Sequence, residues 1–337
     1  MTYPSFSKLL LLLLTLTALS FTSCDDDDDV LGIDLTDDGT LFMSSNTTGL
    51  VGVLDVNDNP LEVETFASAG MDADGIYYDD SDEMVFQVIR SNSTLVNYKD
   101  VLDDLDDPNG VDVVNTSTSD FTNGRGLVAI GNSQFVVAQD ASAENNNTNA
   151  IVIYGFSENS GFTLAKTIPT DFNLWGLEFV DGTVYAVVDN SDSIAVFNNL
   201  FDTPDGQTAT PDRYIRVDGL VRTHGIAYNE QDDLMVLTDV GAADSDSDGA
   251  IFIISNFSTR SNDVFAAADY VRIGGANTRL GNPVDVDYDP DDDRIFVAER
   301  LRGGGELLIF QSSATGNTAP IETIPFAGIS SLYLNRD

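Results

Sequence analysis

Residues 176–190 read "GLEFVDGTVYAVVDN": a short apolar strand, an Asp-Gly turn, and a second strand rich in Val and Tyr. Asp-Gly between apolar runs signals a hairpin, because both residues tolerate the positive φ that tight turns need. The pattern recurs as "GIYYDDSDEMVFQVIR" (75–90), "GLVAIGNSQFVVAQD" (126–140), "GIAYNEQDDLMVLTDV" (225–240) and "DVDYDPDDDRIFVAER" (285–300). The starts lie 51, 50, 49 and 60 residues apart. Each hairpin precedes a third β-rich run: "STLVNYKDV", "AIVIYGF", "SIAVFNNL", "AIFIISNF" and "ELLIFQS". Alternating Val, Ile, Phe and Tyr between Gly, Asn and Asp turns calls for strands, and no later stretch sustains a helical period.

A period of about fifty residues holds four strands with their loops, one blade of a β-propeller. The two ends complete the count. "ISSLYLNRD" (329–337) matches a first strand with no second after it, and "DGTLFMSSNTTGLVGVLDV" (38–56) matches a second and third with no first before them. Joined, they form a sixth blade, closing the ring and removing exposed sheet edges. The expectation is an all-β, six-bladed propeller of four-stranded antiparallel blades over residues 38–337.

The segments "LGNPVDVDYDPDDDRIFVAE" (280–299), "LLIFQSSATGNTAPIETI" (307–324) and "TPDRYIRVDGLVRTHGIAY" (210–228) resemble the bacterial NHL-like β-propellers. That group carries an N-x-P-x-G-I-A-V-D strand, an I-Y-V-A-D strand and a G-N-x-x-P-x-R-x-I closing strand. Here Asp285 replaces the usual Gly and Glu322 the usual Arg. The resemblance implies an architecture; the group spans enzymes and scaffolds, and a fold does not supply a function.

The chain's start addresses where it works. Lys8, the apolar run Leu9 to Leu19, and Thr22 and Ser23 make residues 1–23 a signal peptide. Its apolar run is short for a membrane span, which needs about 20 residues. "SFTSC" resembles a bacterial lipobox, with Phe21 where Leu is usual, and the only cysteine of the chain, Cys24, stands at the junction. The expectation is lipid attachment at Cys24, with residues 24–37 as an acidic tether led by Asp25 to Asp29. Acidic residues after the cysteine resemble the surface-export signal of Bacteroidota-type lipoproteins. This places the protein in the cell envelope, at the outer membrane in preference to the inner, touching the membrane only through its lipid. An ordinary secretory leader with a stray thiol is the alternative.

Fifteen Lys and Arg stand against 56 Asp and Glu, a net charge of −41. Such a surface repels nucleic-acid phosphates and anionic headgroups, so neither is an expected partner. The three lysines and many aspartates resemble proteins of salt-loving bacteria; calcium loading is the competing explanation. One cysteine forbids an internal disulfide, and one histidine excludes every site needing two imidazoles.

In a propeller the loops between second and third strands share a face with the starts of the first strands. Here those loops are long in three blades ("DASAENNNTN", "DVGAADSDSDG", "ERLRGGG"), so that face is expected to carry the site. The first strands open with Asp74, Arg125, Trp175, His224 and Val284, a rim able to grip a small molecule or peptide end, with inter-blade packing as the plain reading. The second strands end in Asp140, Asp189, Asp239 and Glu299, expected to accept hydrogen bonds from neighbouring turns or, converging, to hold calcium. In "DSDSDGAI", Asp244, Asp246 and Asp248 have the spacing that wraps one hard cation, with the Ala250 carbonyl as a further ligand. It resembles half an EF-hand loop, though Ser255 stands where the bidentate Glu belongs; the alternative is a solvated acidic turn.

Catalytic patterns are scarce: no G-x-S-x-G elbow and no G-x-x-x-x-G-K-[ST] loop occur. The composite expectation is a lipid-anchored propeller binding or scaffold module, with calcium as a stabilising ion and a protein, peptide or small molecule as ligand. Two further readings are a calcium-dependent hydrolase similar to the gluconolactonase propellers, with a metal held by acids such as Asp189, Asp239 and Glu299, and a purely structural envelope protein.

Overall fold

The structure, a computed structural model, describes residues 39–336 apart from 109 and 243. The expected leader, Cys24 and the expected acidic tether lie outside these residues.

Strands β1 (Thr40–Ser45), β2 (Leu50–Asp55) and β3 (Glu64–Ala67) belong to a first sheet. A second contains β4 (Ala73–Asp79), β5 (Met84–Ile89), β6 (Thr94–Lys99) and β7 (Val113–Thr116). A third contains β8 (Gly124–Ile130), β9 (Gln134–Gln139), β10 (Asn149–Ser157) and β11 (Gly161–Thr170). The fourth runs β12 (Leu174–Val180), β13 (Thr183–Val188), β14 (Ser193–Phe197) and β15 (Arg213–Val217). In the fifth are β16 (Thr223–Asn229), β17 (Leu234–Asp239) and β18 (Ala250–Ser255). The chain then adds β19 (Val264–Phe265) to the outer edge of the fourth sheet and returns as β20 (Val271–Gly274). The sixth holds β21 (Pro283–Asp289), β22 (Arg294–Glu299), β23 (Glu306–Gln311) and β24 (Glu322–Pro325). Finally β25 (Ile329–Asn335) pairs with β1 as the inner strand of the first sheet. The described residues contain no α-helix.

The six-bladed, four-stranded propeller expected from the repeat is therefore the fold, and the termini close it as expected. Thr40 pairs with Asn335, Leu41 with Leu334 and Phe42 with Tyr333, all antiparallel. The one addition is β19, which runs parallel to β15 through Arg216–Val264 and Val217–Phe265. This excursion, with the long acidic loop before β18, accounts for the 60-residue spacing between the fifth and sixth repeats.

Six hydrophobic clusters each fill one boundary between neighbouring blades. The cluster between the first and second blades joins Phe42 and Val53 to Tyr78 and Tyr98, with Phe42 stacked on Tyr78 at 4.5 Å. Each middle strand is thus buried on both faces, and runs such as "IVIY" and "LLIF" read as continuous rather than alternating apolar sequence.

At the centre the inner strands approach one another closely. A Cβ on Gly176 would lie 2.4 Å from the His224 carbonyl oxygen, and one on Gly75 2.6 Å from that of Arg125. One on Gly225 would lie 2.6 Å from the Asp285 Cα, and one on Gly126 2.9 Å from the Trp175 carbonyl oxygen. Only glycine fits these four junctions. The last two places of the ring are Asp285 and Ser331, and there the Ser331 hydroxyl donates to Asp285 at 2.7 Å. Pairing is irregular at this level in every blade, as between Leu174 and Leu177 or Thr223 and Ile226. Such bulges re-aim side chains at the rim.

Candidate functional site

Two layers occupy the channel, separated by the glycine ring: a rim on the face of the long loops, hereafter the upper face, and a cavity below it.

The rim residues anticipated from the repeat do meet, except one. The Arg125 guanidinium donates to Asp74 at 3.2 Å and lies 3.8 Å from the Trp175 ring centroid. Trp175 stacks on His224 with centroids 3.6 Å apart and planes 6° from parallel. His224 Nε2 lies 3.0 Å from Asp189, which also accepts from Arg222 Nε at 2.8 Å. A five-member chain, Asp74–Arg125–Trp175–His224–Asp189, thus crosses four adjacent blades. His224 is 3% exposed and Arg125 8%, so the chain fills the upper mouth with its own side chains. Val284 does not join it; it packs in the core between the sixth and first blades.

Charge and burial oppose each other along this chain. Burial drives His224 down to about 4 against the pull of the Asp189 carboxylate. The ring is therefore neutral near pH 7, its proton on Nε2 facing the acceptor-only carboxylate. Nδ1 is buried and finds no hydrogen-bond partner among the described residues. Burial would raise Asp189, but the bonds from His224 and Arg222 outweigh it and hold the acid at about 2. Burial raises Asp74 in spite of Arg125 and Arg90, and Asp140 in spite of Arg125, whose nitrogen is 3.7 Å away.

The four acids ending the second strands divide into two pairs. Asp239 accepts from the backbone N–H groups of Val221, Arg222 and Gly241, and Glu299 from those of Gly281, Asn282, Leu301 and Arg302. These two hold turns, the role expected for all four. Asp140 and Asp189 serve the rim cations as well. Among the described residues no three His, Cys, Asp or Glu side chains gather as a metal site. The donor set proposed for a channel-mouth metal is committed elsewhere and does not fit one.

In the acidic loop Asp244, Asp246 and Asp248 are exposed. Asp248 turns back to accept from the Ala242 N–H at 3.1 Å, and Ala250 already lies in the β18 ladder opposite Asp239 and Gly274. In this arrangement the loop does not wrap a cation.

Below the glycine ring lies a cavity of about 300 Å³. It is lined by residues from the middle and lower parts of all six inner strands, from Gly126, Gly176, Asp285 and Ser331 down to Ala129, Phe179, Tyr228 and Leu334. A second hollow sharing Tyr228, Asp287 and Leu334 continues past Asn229, Pro290 and Arg336, so the cavity opens toward the face of the short turns. The upper face is expected to carry the site; its centre is filled by side chains, and this cavity lies on the other side.

The position two residues below the glycine is occupied, blade by blade from the first, by Tyr333, Tyr77, Val128, Glu178, Ala227 and Asp287. All six line the cavity. Glu178 accepts from the Phe179 N–H at 3.0 Å and from the Tyr228 N–H of the next blade at 3.3 Å. Asp287 accepts from the Leu334 N–H at 2.7 Å, and Asp285 from the Leu332 N–H at 2.9 Å. Inner strands are sheet edges with unpaired N–H groups, and these acids satisfy several of them. Burial pushes Glu178 up to about 8, helped by the charge of Asp287, Asp285 up to about 7, and Asp287 up to about 6.

Sequence reasoning passed over Glu178, Asp287 and Arg222, and marked Asp285 only as a departure from the usual Gly. The available signal was the alternation Asp285, Asp287, Asp289, which a strand's two-residue period sets on one side. Glu178 sits at the same offset from its glycine as Asp287 from Asp285.

No protein-family model matches the sequence, and neither does any curated protein. Solved structures do resemble it. A chain of a nidogen/laminin complex matches over 88% of this chain and 98% of its own length, at 12% identity and a TM-score of 0.57. A candidate 6-phosphogluconolactonase from Bacteroides fragilis matches over 90% and 99%, at 12% identity and a TM-score of 0.55. Another from Bacteroides uniformis matches over 89% and 100%, at 11% identity and a TM-score of 0.57. At this identity the likeness extends to architecture: the chain is a six-bladed β-propeller.

Proposed function

We propose that this protein is a lipid-anchored propeller of the cell envelope, attached through Cys24, and that it binds a small ligand in the lower channel rather than hydrolysing one at the upper mouth. The observation that carries this reading is the division of the channel. Its upper mouth is filled by the Arg125–Trp175–His224 stack, while an open cavity with polar and aromatic walls lies beneath. Concave sites in which a few polar groups converge are the usual form of a small-molecule site, and here the polar groups make up the larger part of the wall.

The hydrolase reading draws support from the two candidate lactonases among the structural neighbours. Against it stands the commitment of every acid it would need: Asp189 to His224 and Arg222, Asp239 to three backbone N–H groups, Glu299 to four. Calcium enters the binding reading as a stabilising ion if Asp248 releases Ala242 and the acidic loop rearranges around the metal.

Val128→Trp fills the channel at the cavity ring without touching the rim. In a ligand-detected NMR fragment screen, the wild type is expected to yield hits that this variant loses while still unfolding cooperatively. Hits retained by Val128→Trp would remove the cavity from the proposal. Turnover of a lactone panel by the purified protein, with or without calcium, would replace it with the hydrolase.

A further inference from the structure

The cavity ring is asymmetric. The fourth and sixth blades contribute Glu178 and Asp287, flanking the small Ala227 of the fifth, and Asp285 stands one layer above on the same wall. The next places of the ring belong to the first and second blades, whose Tyr333 and Tyr77 meet edge to face at 4.8 Å. Three carboxylates and a pair of aromatic rings therefore line one cavity, with Asp285 and Asp287 on the strand next to that of Tyr333 and Glu178 farther round the ring.

Among the described residues no Lys, Arg or His lines that cavity. Several other buried acids of the channel do have a cation, while Asp239 and Glu299 are held by backbone N–H groups. Asp74 has Arg125, Asp189 has Arg222, and Asp289 has Arg294 and Arg336. Arg336, which lines the lower hollow, is held by Asp289. Glu178 and Asp287 each accept two backbone N–H bonds and Asp285 accepts three bonds, one of them from the Ser331 hydroxyl, out of about four that a carboxylate offers. A carboxylate wall without a countercharge, in a cavity also lined by aromatic rings, matches a compact cation with an apolar skin: the acids ionise to meet its charge while the rings accept its polarised alkyl groups. A strongly hydrated metal ion would gain nothing from the tyrosines, and an anion would meet only repulsion.

We infer that the ligand of the lower channel is a small organic cation of the alkylammonium class, held between the Glu178–Asp285–Asp287 wall and the Tyr77–Tyr333 pair. The inference rests on the binding role proposed above for this cavity. Burial, helped by the mutual repulsion of the acids, holds part of the wall protonated near neutrality, so the ligand competes with protons for it.

The test compares choline with 3,3-dimethylbutan-1-ol, its uncharged isostere of the same shape, by isothermal calorimetry at constant ionic strength and about pH 9, where the wall is ionised. Choline is expected to bind at least about tenfold more tightly than the alcohol, and Glu178→Gln to lose about tenfold of that affinity. Glutamine keeps the acceptor for Tyr228, so this variant is expected to fold, and Asp287→Asn provides a second with the same expected loss. Equal binding of choline and alcohol overturns the cationic ligand while leaving the cavity as a binding site. Absence of choline binding overturns it as well, and fragment hits sensitive to Val128→Trp then show that the cavity reading survives. Choline binding unchanged in both acid variants places the cation elsewhere and also overturns it.

Discussion

His224 is the only imidazole in the chain, which makes its environment directly observable. Held between Trp175 and Asp189, it resists protonation down to about 4, whereas the unfolded chain takes up that proton near 6.5. Its contribution to stability is therefore complete above about pH 6.5 and drains away as pH falls toward about 4. The Hε1 resonance is expected to show no titration between pH 8 and 5. An inflection near 6.5 would mean that the stack is open and the upper mouth accessible. The raised acids act in the opposite direction: Glu178 at about 8 stabilises the fold when protonated and costs stability as pH rises through that value. The rim was legible because counting from each repeat's glycine assigns Asp74, Arg125, Trp175 and His224 to one level. The Asp189–His224 bond was not, since it joins residues of different blades. Nor were Glu178 and Asp287, because one acid more in a chain with 56 of them carries no signal.

At the scale of elements, β21 fastens the wheel. Its alternate residues Asp285, Asp287 and Asp289 meet Ser331 and Leu332, then Leu334, then Arg336, running down the length of β25. Asp289 is the anchor: fully buried, it accepts from Arg336 and from Arg294, which in turn donates to the Val56 carbonyl beyond β2. Burial would raise this acid, but the two guanidinium groups outweigh it and keep it ionised. Asp289→Ala removes the buried acceptor that two largely buried arginines share, leaving them Asp292 and the Val56 carbonyl, and is expected to cost about 3–5 kcal/mol in urea denaturation. A loss below about 1 kcal/mol would show that solvent replaces the carboxylate. The seam itself was readable, because "ISSLYLNRD" and "DGTLFMSS" are incomplete in complementary ways. Strand β19 was not: two residues pairing with a neighbouring blade leave no period to detect, and the 60-residue spacing was its only trace.

Across the whole molecule, the distribution of cations matters more than their number. Of 15 Lys and Arg, Arg90, Arg125, Arg222, Arg294 and Arg336 serve acids in the channel or at its seam, leaving the outer surface strongly anionic. Repulsion among exposed carboxylates is screened as the Debye length shrinks from about 10 Å at 0.1 M to about 3 Å at 1 M salt. The melting temperature is expected to rise by about 5 °C or more between low salt and 1 M NaCl, at about 2 °C for each kcal/mol relieved. A flat or falling profile would show that the surface charges are already compensated.

The pairing of Thr40 with Asn335 also governs how the protein can be handled. Because that pair sits at the end of β25 bordering the lower hollow, a capture tag fused after Asp337 would press the mouth of the lower cavity against a sensor chip. Biotin placed instead on the acidic loop around Asp246 would turn the wheel over and leave the opening toward the flowing analyte.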